Sequence, residues 1–130
     1  MIKDSGDRHD FGTGSRRDKR EGKGRYDLLP FLALFCLARH FEDGDVKYGD
    51  PEKRTVPHTA NWRKGQPLSV YLESFIRHAC KFGAGERDEP HLSAALWNGL
   101  CLLETKALIK QRKLPVELDD LEDFDEYLND

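Results

Sequence analysis

Several things are scarce in this chain of 130 residues. No apolar run is long enough to span a bilayer: the longest, Leu28–Ala38, is broken by Pro30. Met1–Gly24 has no apolar centre of the kind a secretory leader needs. Cysteines are few and odd in number, Cys36, Cys80 and Cys101, and none forms a C-x-x-C pair. That fits a disulfide framework poorly and argues against a cysteine-built zinc site. Each cysteine lies in an apolar periodic segment, so buried free thiols in a reducing compartment are expected. Strand-like alternation of useful length is missing, as is any internal repeat. Hydrophobic residues make up only 38% of the chain against 35% charged, which leaves room for one small core under a heavily solvated surface. A net charge of −3 gives no surplus of cations for general nucleic-acid binding. The expectation is a cytoplasmic protein (host cytoplasm if viral) with no membrane association.

What charge there is lies at the two ends. Residues 1–25 carry Lys3, Arg8, Arg16, Arg17, Lys19, Arg20, Lys23 and Arg25, whereas residues 115–130 are acidic without a single base. Three parts follow: a basic arm over 1–24, a helical domain over 25–113 and an acidic stretch over 114–130, read as a tail, with a short docked helix carrying Leu118, Leu121, Phe124 and Leu128 as the alternative. The arm is too polar to fold alone. Its Gly12-Thr13-Gly14-Ser15-Arg16-Arg17 combines a pliable backbone with two guanidinium groups suited to phosphate, but lacks the Gly-Lys-Ser/Thr of a Walker loop.

The domain reads as all-α, a small bundle of three main helices over about 28–48, 67–82 and 90–112. Leu28, Phe31, Leu32, Phe35 and Ala38 recur at helical steps, with Asp27 as a candidate N-cap and Pro30 in the first turn. Gly49-Asp50-Pro51 stops this helix, and a loop containing Asn61 and Trp62 follows. The second helix shows a stripe of Leu68, Leu72, Phe75, Ile76 and Ala79 and ends at Gly83 and Gly85. The third opens at Pro90, with Asp88 or Glu89 as cap. A three-helix core this small invites completion by homo-oligomerisation.

Between the second and third helices lies Gly85-Glu86-Arg87-Asp88-Glu89-Pro90-His91, preceded by Arg77-His78. Divalent cations need oxygen ligands converging from neighbouring segments, and Glu73, Glu86, Asp88 and Glu89 offer them. His78 and His91 add nitrogen, which suits Mn²⁺, Co²⁺ or Zn²⁺ better than Mg²⁺. Simpler readings compete. The elbow acids would also cap a helix, Glu73 and Arg77 would form a solvated i,i+4 pair, and His78 would be a satisfied core residue. Asn98, mid-helix in an apolar segment, needs a partner, either an inter-helix hydrogen bond or a base or ribose edge; Trp97 reads as core.

The stretches Phe11-Gly12-Thr13-Gly14, Arg17-Asp18, Glu21–Pro30, Lys47-Tyr48-Gly49-Asp50, Asn61-Trp62-Arg63-Lys64-Gly65, Arg77-His78, Gly85–Glu89, His91-Leu92 and Ala95-Leu96-Trp97-Asn98 resemble, in order, the phage-type dATP/dGTP diphosphohydrolase domain. The resemblance runs from about residue 5 to about 110. It implies an all-α protein related to MazG-like nucleotide pyrophosphohydrolases, which hydrolyse a nucleoside triphosphate to the monophosphate and pyrophosphate with divalent metal (Mg²⁺ or Mn²⁺, or else Co²⁺ or Zn²⁺) and form oligomers. The substrate implied is dGTP or dATP. The catalytic candidates are then Glu86, Asp88, His78 and Arg77. Glu73, His78, Glu86, Asp88 and His91 are the candidate metal ligands. Arg17, Lys23, Arg25, Asn61, Trp62, Lys64 and Asn98 are the candidate substrate contacts. Two departures from the pattern stand out: Pro51–Ala60 separates elements that are nearly contiguous in relatives, and the MazG pair of Glu-x-x-Glu and Glu-x-x-Asp is only approximated by Glu86-Arg87-Asp88-Glu89. Two rival readings are a non-catalytic helical module of a phage that binds nucleotide or protein, and an HD-like phosphohydrolase on His78 and His91. The second is disfavoured, because no His-Asp dipeptide occurs near the helices; His9-Asp10 lies in the arm.

Overall fold

A computed structural model describes residues 1–123, in two units, Met1–Phe31 and a second that begins at Leu32. The sequence gives no strand-length alternation, yet the first unit contains a hairpin: β1 (Arg8–Asp10) pairs antiparallel with β2 (Arg16–Asp18), with His9 opposite Arg17. Its strands are three residues long, too short to show a two-residue period. The turn depends on glycine. Gly12 and Gly14 hold φ of 74° and 92°, the left-handed region that costs side-chain-bearing residues most, and Phe11 N–H closes on Ser15 C=O at 3.2 Å. Asp18 is the hub. It accepts from Ser5 N–H at 3.1 Å and from the Ser5 hydroxyl, and it faces Arg8 at 3.8 Å and Lys23 at 3.5 Å. These bonds hold its carboxyl below the usual carboxylate range, the Ser5 hydroxyl contributing most.

A short 3-10 turn, Tyr26–Leu28, precedes α1 (Phe31–Tyr48). The helix therefore starts three residues later than its periodicity suggests. Leu29 precedes Pro30, whose ring forces it to extended geometry (φ −66°, ψ 139°), so Pro30 lies just outside the helix and Asp27 does not cap it. Gly44 is tolerated mid-helix. Among the described residues of α1 only Leu37 is buried, while Leu32 and Phe35 are 80% and 65% exposed. The apolar stripe read from the sequence therefore exists but does not face the core.

The core is built by α2 (Leu68–Gly83) and α3 (His91–Lys110), an antiparallel pair in which Leu68, Tyr71, Ala94, Ala95 and Cys101 are buried. Tyr71, outside the stripe read from the sequence, donates from its hydroxyl to Trp62 C=O at 3.0 Å and so ties the preceding loop to the pair. Gly99 lets the helices close up: a Cβ there would lie 2.6 Å from the Phe75 ring. Beside the pair, rings of His40, Phe41, Trp62 and Trp97 gather with centroids 5.8–5.9 Å apart, and Arg63 stacks on Trp62 at 4.5 Å. These aromatic contacts anchor α1 and the loop of 3-10 turns, Pro57–Thr59 and Asn61–Lys64, to α3.

The residues after Pro115 begin as a docked segment. Val116–Leu118 forms a 3-10 turn, Leu114 and Leu118 pack against Gly65, and Asp120 accepts from Ser69 N–H at 2.9 Å and from the Ser69 hydroxyl, capping α2. Of the stretch read as an acidic tail, 114–120 is docked in this way, and residues 124–130 lie outside the described residues. Cysteines are free throughout, but only Cys101 is buried, its thiol pushed up to about 12 by burial; Cys36 and Cys80 are exposed, against expectation. Apolar periodicity indicates which face of a helix is greasy, not whether another element covers it.

Candidate functional site at the α2–α3 elbow

The elbow is set by how α2 stops. Gly85 takes φ of 91°, Gly85 N–H reaches Phe82 C=O at 3.0 Å and Glu86 N–H reaches Lys81 C=O at 3.0 Å. This is a Schellman closure, which satisfies the last carbonyls of the helix and reverses the chain. Pro90 precedes α3 with φ of −75°, and His91, the first helical residue, turns its side chain inward until it is fully buried.

Both nitrogens of that buried ring are engaged. His91 Nε2 lies 2.8 Å from Asp88 Oδ1, and His91 Nδ1 lies 2.9 Å from Nδ1 of His78 on α2. Of the two cap candidates, Asp88 and Glu89, neither is the N-cap, which is Pro90 without a side-chain cap bond; Asp88 orients the histidine. The bond to His91 is the main reason the Asp88 carboxyl is held below its ordinary value, so it is ionised near neutral pH. Partial burial pushes the His78 ring down, and the nearby Arg77 and His91 push the same way, which favours neutral imidazole. Among the described residues His78 Nε2 makes no hydrogen bond, and the ring is only half-buried, so the residue is in part open to solvent.

Among the described residues, Asp88, Glu89 and His91 each bring one ligand atom into a group spanning 4.8 Å. Two hard oxygens and an imidazole nitrogen form a donor set chemically suited to Mn²⁺, Co²⁺ or Zn²⁺. Glu89, at the exposed edge, is one of the four carboxylates the sequence offers as oxygen ligands, and with Asp88 it is one of the two that the described residues bring to His91. Its closeness to His91 arises from the turn before α3, in which Glu89 C=O accepts from His91 N–H at 2.8 Å.

The other candidates lie elsewhere. Glu73 is exposed on α2, 3.4 Å from Arg77, which also donates to Ser74 Oγ at 3.3 Å. Glu86 is exposed and contributes its backbone to the elbow rather than its carboxylate to the cluster. Asn98 is buried and donates to Ala94 C=O of its own helix at 2.9 Å, so its amide has a local partner. Trp62 is half-buried in the aromatic cluster, while Asn61 and Lys64 are exposed on their 3-10 turn. Arg17, Lys23 and Arg25 belong to the first unit. There Arg17 sits on β2, Lys23 pairs with Asp18, and Arg25 forks onto Asp27 through two 2.8 Å bonds.

No helix among the described residues is long and apolar enough to cross a membrane. No curated protein and no solved structure matches the chain. A family model described as dATP/dGTP diphosphohydrolase, N-terminal, matches residues 13–113, most of the chain's length, and the protein belongs to that family.

Proposed function

We propose that the protein hydrolyses a purine deoxynucleoside triphosphate, dGTP or dATP, to the monophosphate and pyrophosphate, with a divalent cation held at the α2–α3 elbow. The observation that supports this most is the convergence of Asp88, Glu89 and buried His91 beside His78, in a chain of this family. A cation there would neutralise phosphate charge and lower the pKa of an attacking water.

The chain's own groups divide the remaining work. His91 is locked by Asp88 and His78, so the site costs little reorganisation when substrate arrives. His78 Nε2 is the ring nitrogen available to exchange a proton or hydrogen bond with the reacting phosphate. Arg77, next to His78 and only loosely paired with Glu73 at 3.4 Å, is free to turn onto the leaving pyrophosphate. Arg17, Lys23 and Arg25 supply further phosphate contacts in this reading, and Asn61, Trp62 and Lys64 contacts to the rest of the nucleotide. A homo-oligomer is part of the proposal too, and the uncovered Leu32 and Phe35 of α1 are the apolar surface that favours it.

The test is purified protein incubated with dGTP and with dATP in Mg²⁺, Mn²⁺ or Co²⁺, with the products separated. Monophosphate and pyrophosphate are expected. No product with any metal refutes the hydrolase reading, and free phosphate or triphosphate changes the reaction class. A second reading, a non-catalytic nucleotide- or protein-binding module, is favoured by one observation: the family description covers an N-terminal region. It predicts that nucleotide with metal leaves thermal stability unchanged.

A further inference from the structure

The cation proposed above and the role of His78 are linked through the proton on His91. We propose that seating a divalent cation on His91 Nε2, Asp88 and Glu89 exchanges the tautomers of His91 and His78, turning His78 Nε2 from a hydrogen-bond acceptor into a donor. The inference rests on the metal site of the proposed function and concerns what that site does to its neighbour.

The two contacts of the His91 ring leave little freedom. An ionised carboxylate can only accept, so the 2.8 Å contact with Asp88 requires a proton on His91 Nε2. In the uncharged form of the ring, His91 Nδ1 is then bare. The 2.9 Å contact between the two Nδ1 atoms needs one proton, which therefore sits on His78 Nδ1. Neutral His78 is left with a bare Nε2, an acceptor.

A cation on His91 Nε2 takes the lone pair at the atom that carried the proton. Neutral His91 must then be protonated at Nδ1, as metal-bound histidines are when the second nitrogen donates to a neighbour. That proton comes across the 2.9 Å contact from His78 Nδ1. The His91 Nε2 proton leaves to solvent, and His78 Nε2 takes one from solvent. For uncharged rings, two ring protons are present before and two after, and the only net change is the bound cation. His78 Nε2–H now donates, which suits it to a phosphate oxygen or the leaving pyrophosphate and not to deprotonating water. His91 is in this scheme a positioning residue, and His78 is the group that meets the nucleotide.

Long-range ¹H–¹⁵N correlation on the full ¹⁵N-labelled chain at pH 8 separates the two neutral tautomers of each histidine. Without metal, His78 is expected as Nδ1–H and His91 as Nε2–H. Saturation with Zn²⁺ alone, which is diamagnetic, should convert His91 to Nδ1–H and His78 to Nε2–H together, in one transition. Glu89→Gln keeps the hydrogen bonds among Asp88, His91 and His78 and should raise the Zn²⁺ concentration at half-exchange by at least about tenfold. His78 remaining Nδ1–H under saturating Zn²⁺, the two rings switching at different Zn²⁺ concentrations, or a His91 ring untouched by Zn²⁺ overturns the inference. The hydrolase reading is judged separately: exchange without turnover of dGTP or dATP refutes that reading and leaves the coupling standing, whereas turnover with His78 still Nδ1–H refutes the coupling alone.

Discussion

Replacing Gly99 by alanine sets two well-measured effects against each other. Gly99 is in the middle of α3, where alanine gains roughly 1 kcal/mol of helix propensity over glycine. The new Cβ, however, would lie 2.6 Å and 2.9 Å from two carbons of the Phe75 ring. Carbon atoms rest about 3.5–4 Å apart, so the ring must retreat by roughly 1 Å or α2 must move away from α3. Overpacking of this kind costs roughly 1–3 kcal/mol. The net expectation is a loss of about 1 kcal/mol, which for a domain of this size lowers Tm by about 4–8 °C. The decisive comparison uses Phe75→Leu. With the ring gone the clash disappears and only the propensity gain remains, so Gly99→Ala should stabilise the Phe75→Leu protein by about 1 kcal/mol. Urea unfolding of the four proteins, with equal m-values, measures the coupling. If Gly99→Ala stabilises the parent protein, or has the same effect in both backgrounds, the close approach of the two helices is not set by this contact. Phe75 lies one turn from His78, so the same variant should also lengthen the His78–His91 contact and shift both rings in histidine ¹⁵N spectra.

Arg112 closes α3 with φ of 60°, and its N–H and that of Lys113 reach Ile109 C=O and Leu108 C=O at 2.9 Å, so Arg112→Gly should stabilise by about 0.5–1 kcal/mol in thermal unfolding; no gain would show that the side chain offsets its backbone strain. His78 and His40 both titrate below the ordinary histidine value because burial disfavours their charged forms. For such groups the unfolded chain binds the proton first, so stability is full above the unfolded pKa of about 6.5 and falls as the pH drops from there toward the folded values. Urea midpoints between pH 7.5 and 5 should decline, less so in His78→Gln, and a flat profile in the parent contradicts the burial of both rings. Asp120→Ala removes the cap on α2 and should lower Tm and speed amide exchange over 114–123; unchanged exchange there would show that Leu114 and Leu118 hold the segment alone. Deleting residues 1–24 should weaken nucleotide binding without unfolding the helices, and unchanged affinity and turnover removes the phosphate role of Arg17 and Lys23.

The features legible in the sequence were those written locally. Gly83, Gly85 and Pro90 punctuate α2 and α3, and their apolar spacing is strong enough to place both helices to within a residue or two. His78 and His91 were legible as companions of the elbow for the same reason, since the elbow's position determines that both flank it. The chemistry between them was not. That Asp88 binds His91 and not a helix N–H depends on how far Pro90 rotates the ring inward, a three-dimensional outcome of the turn. Hidden too were the buried Tyr71, whose hydroxyl partner is a loop carbonyl nine residues away in sequence, and Arg112, a left-handed residue of a type that gives no warning. The hairpin at Arg8–Asp18 escaped because three-residue strands have no period to detect, and because the glycines that make its turn are equally common in unstructured arms.

Ser69 and its cap Asp120 are 51 positions apart in the chain. At typical synthesis rates of about 5–20 residues per second, the stretch from the end of α2 at Gly83 to Asp120 takes roughly 2–7 s to make, so the helix is complete that long before the group that closes its first turn. During that interval the elbow is formed from nearby residues alone, while the start of α2 and the pocket at Gly65 stay open. The histidine pair is closed by groups 13 positions apart and the start of α2 by groups 51 positions apart, so the two ends of one helix draw on the chain at very different ranges.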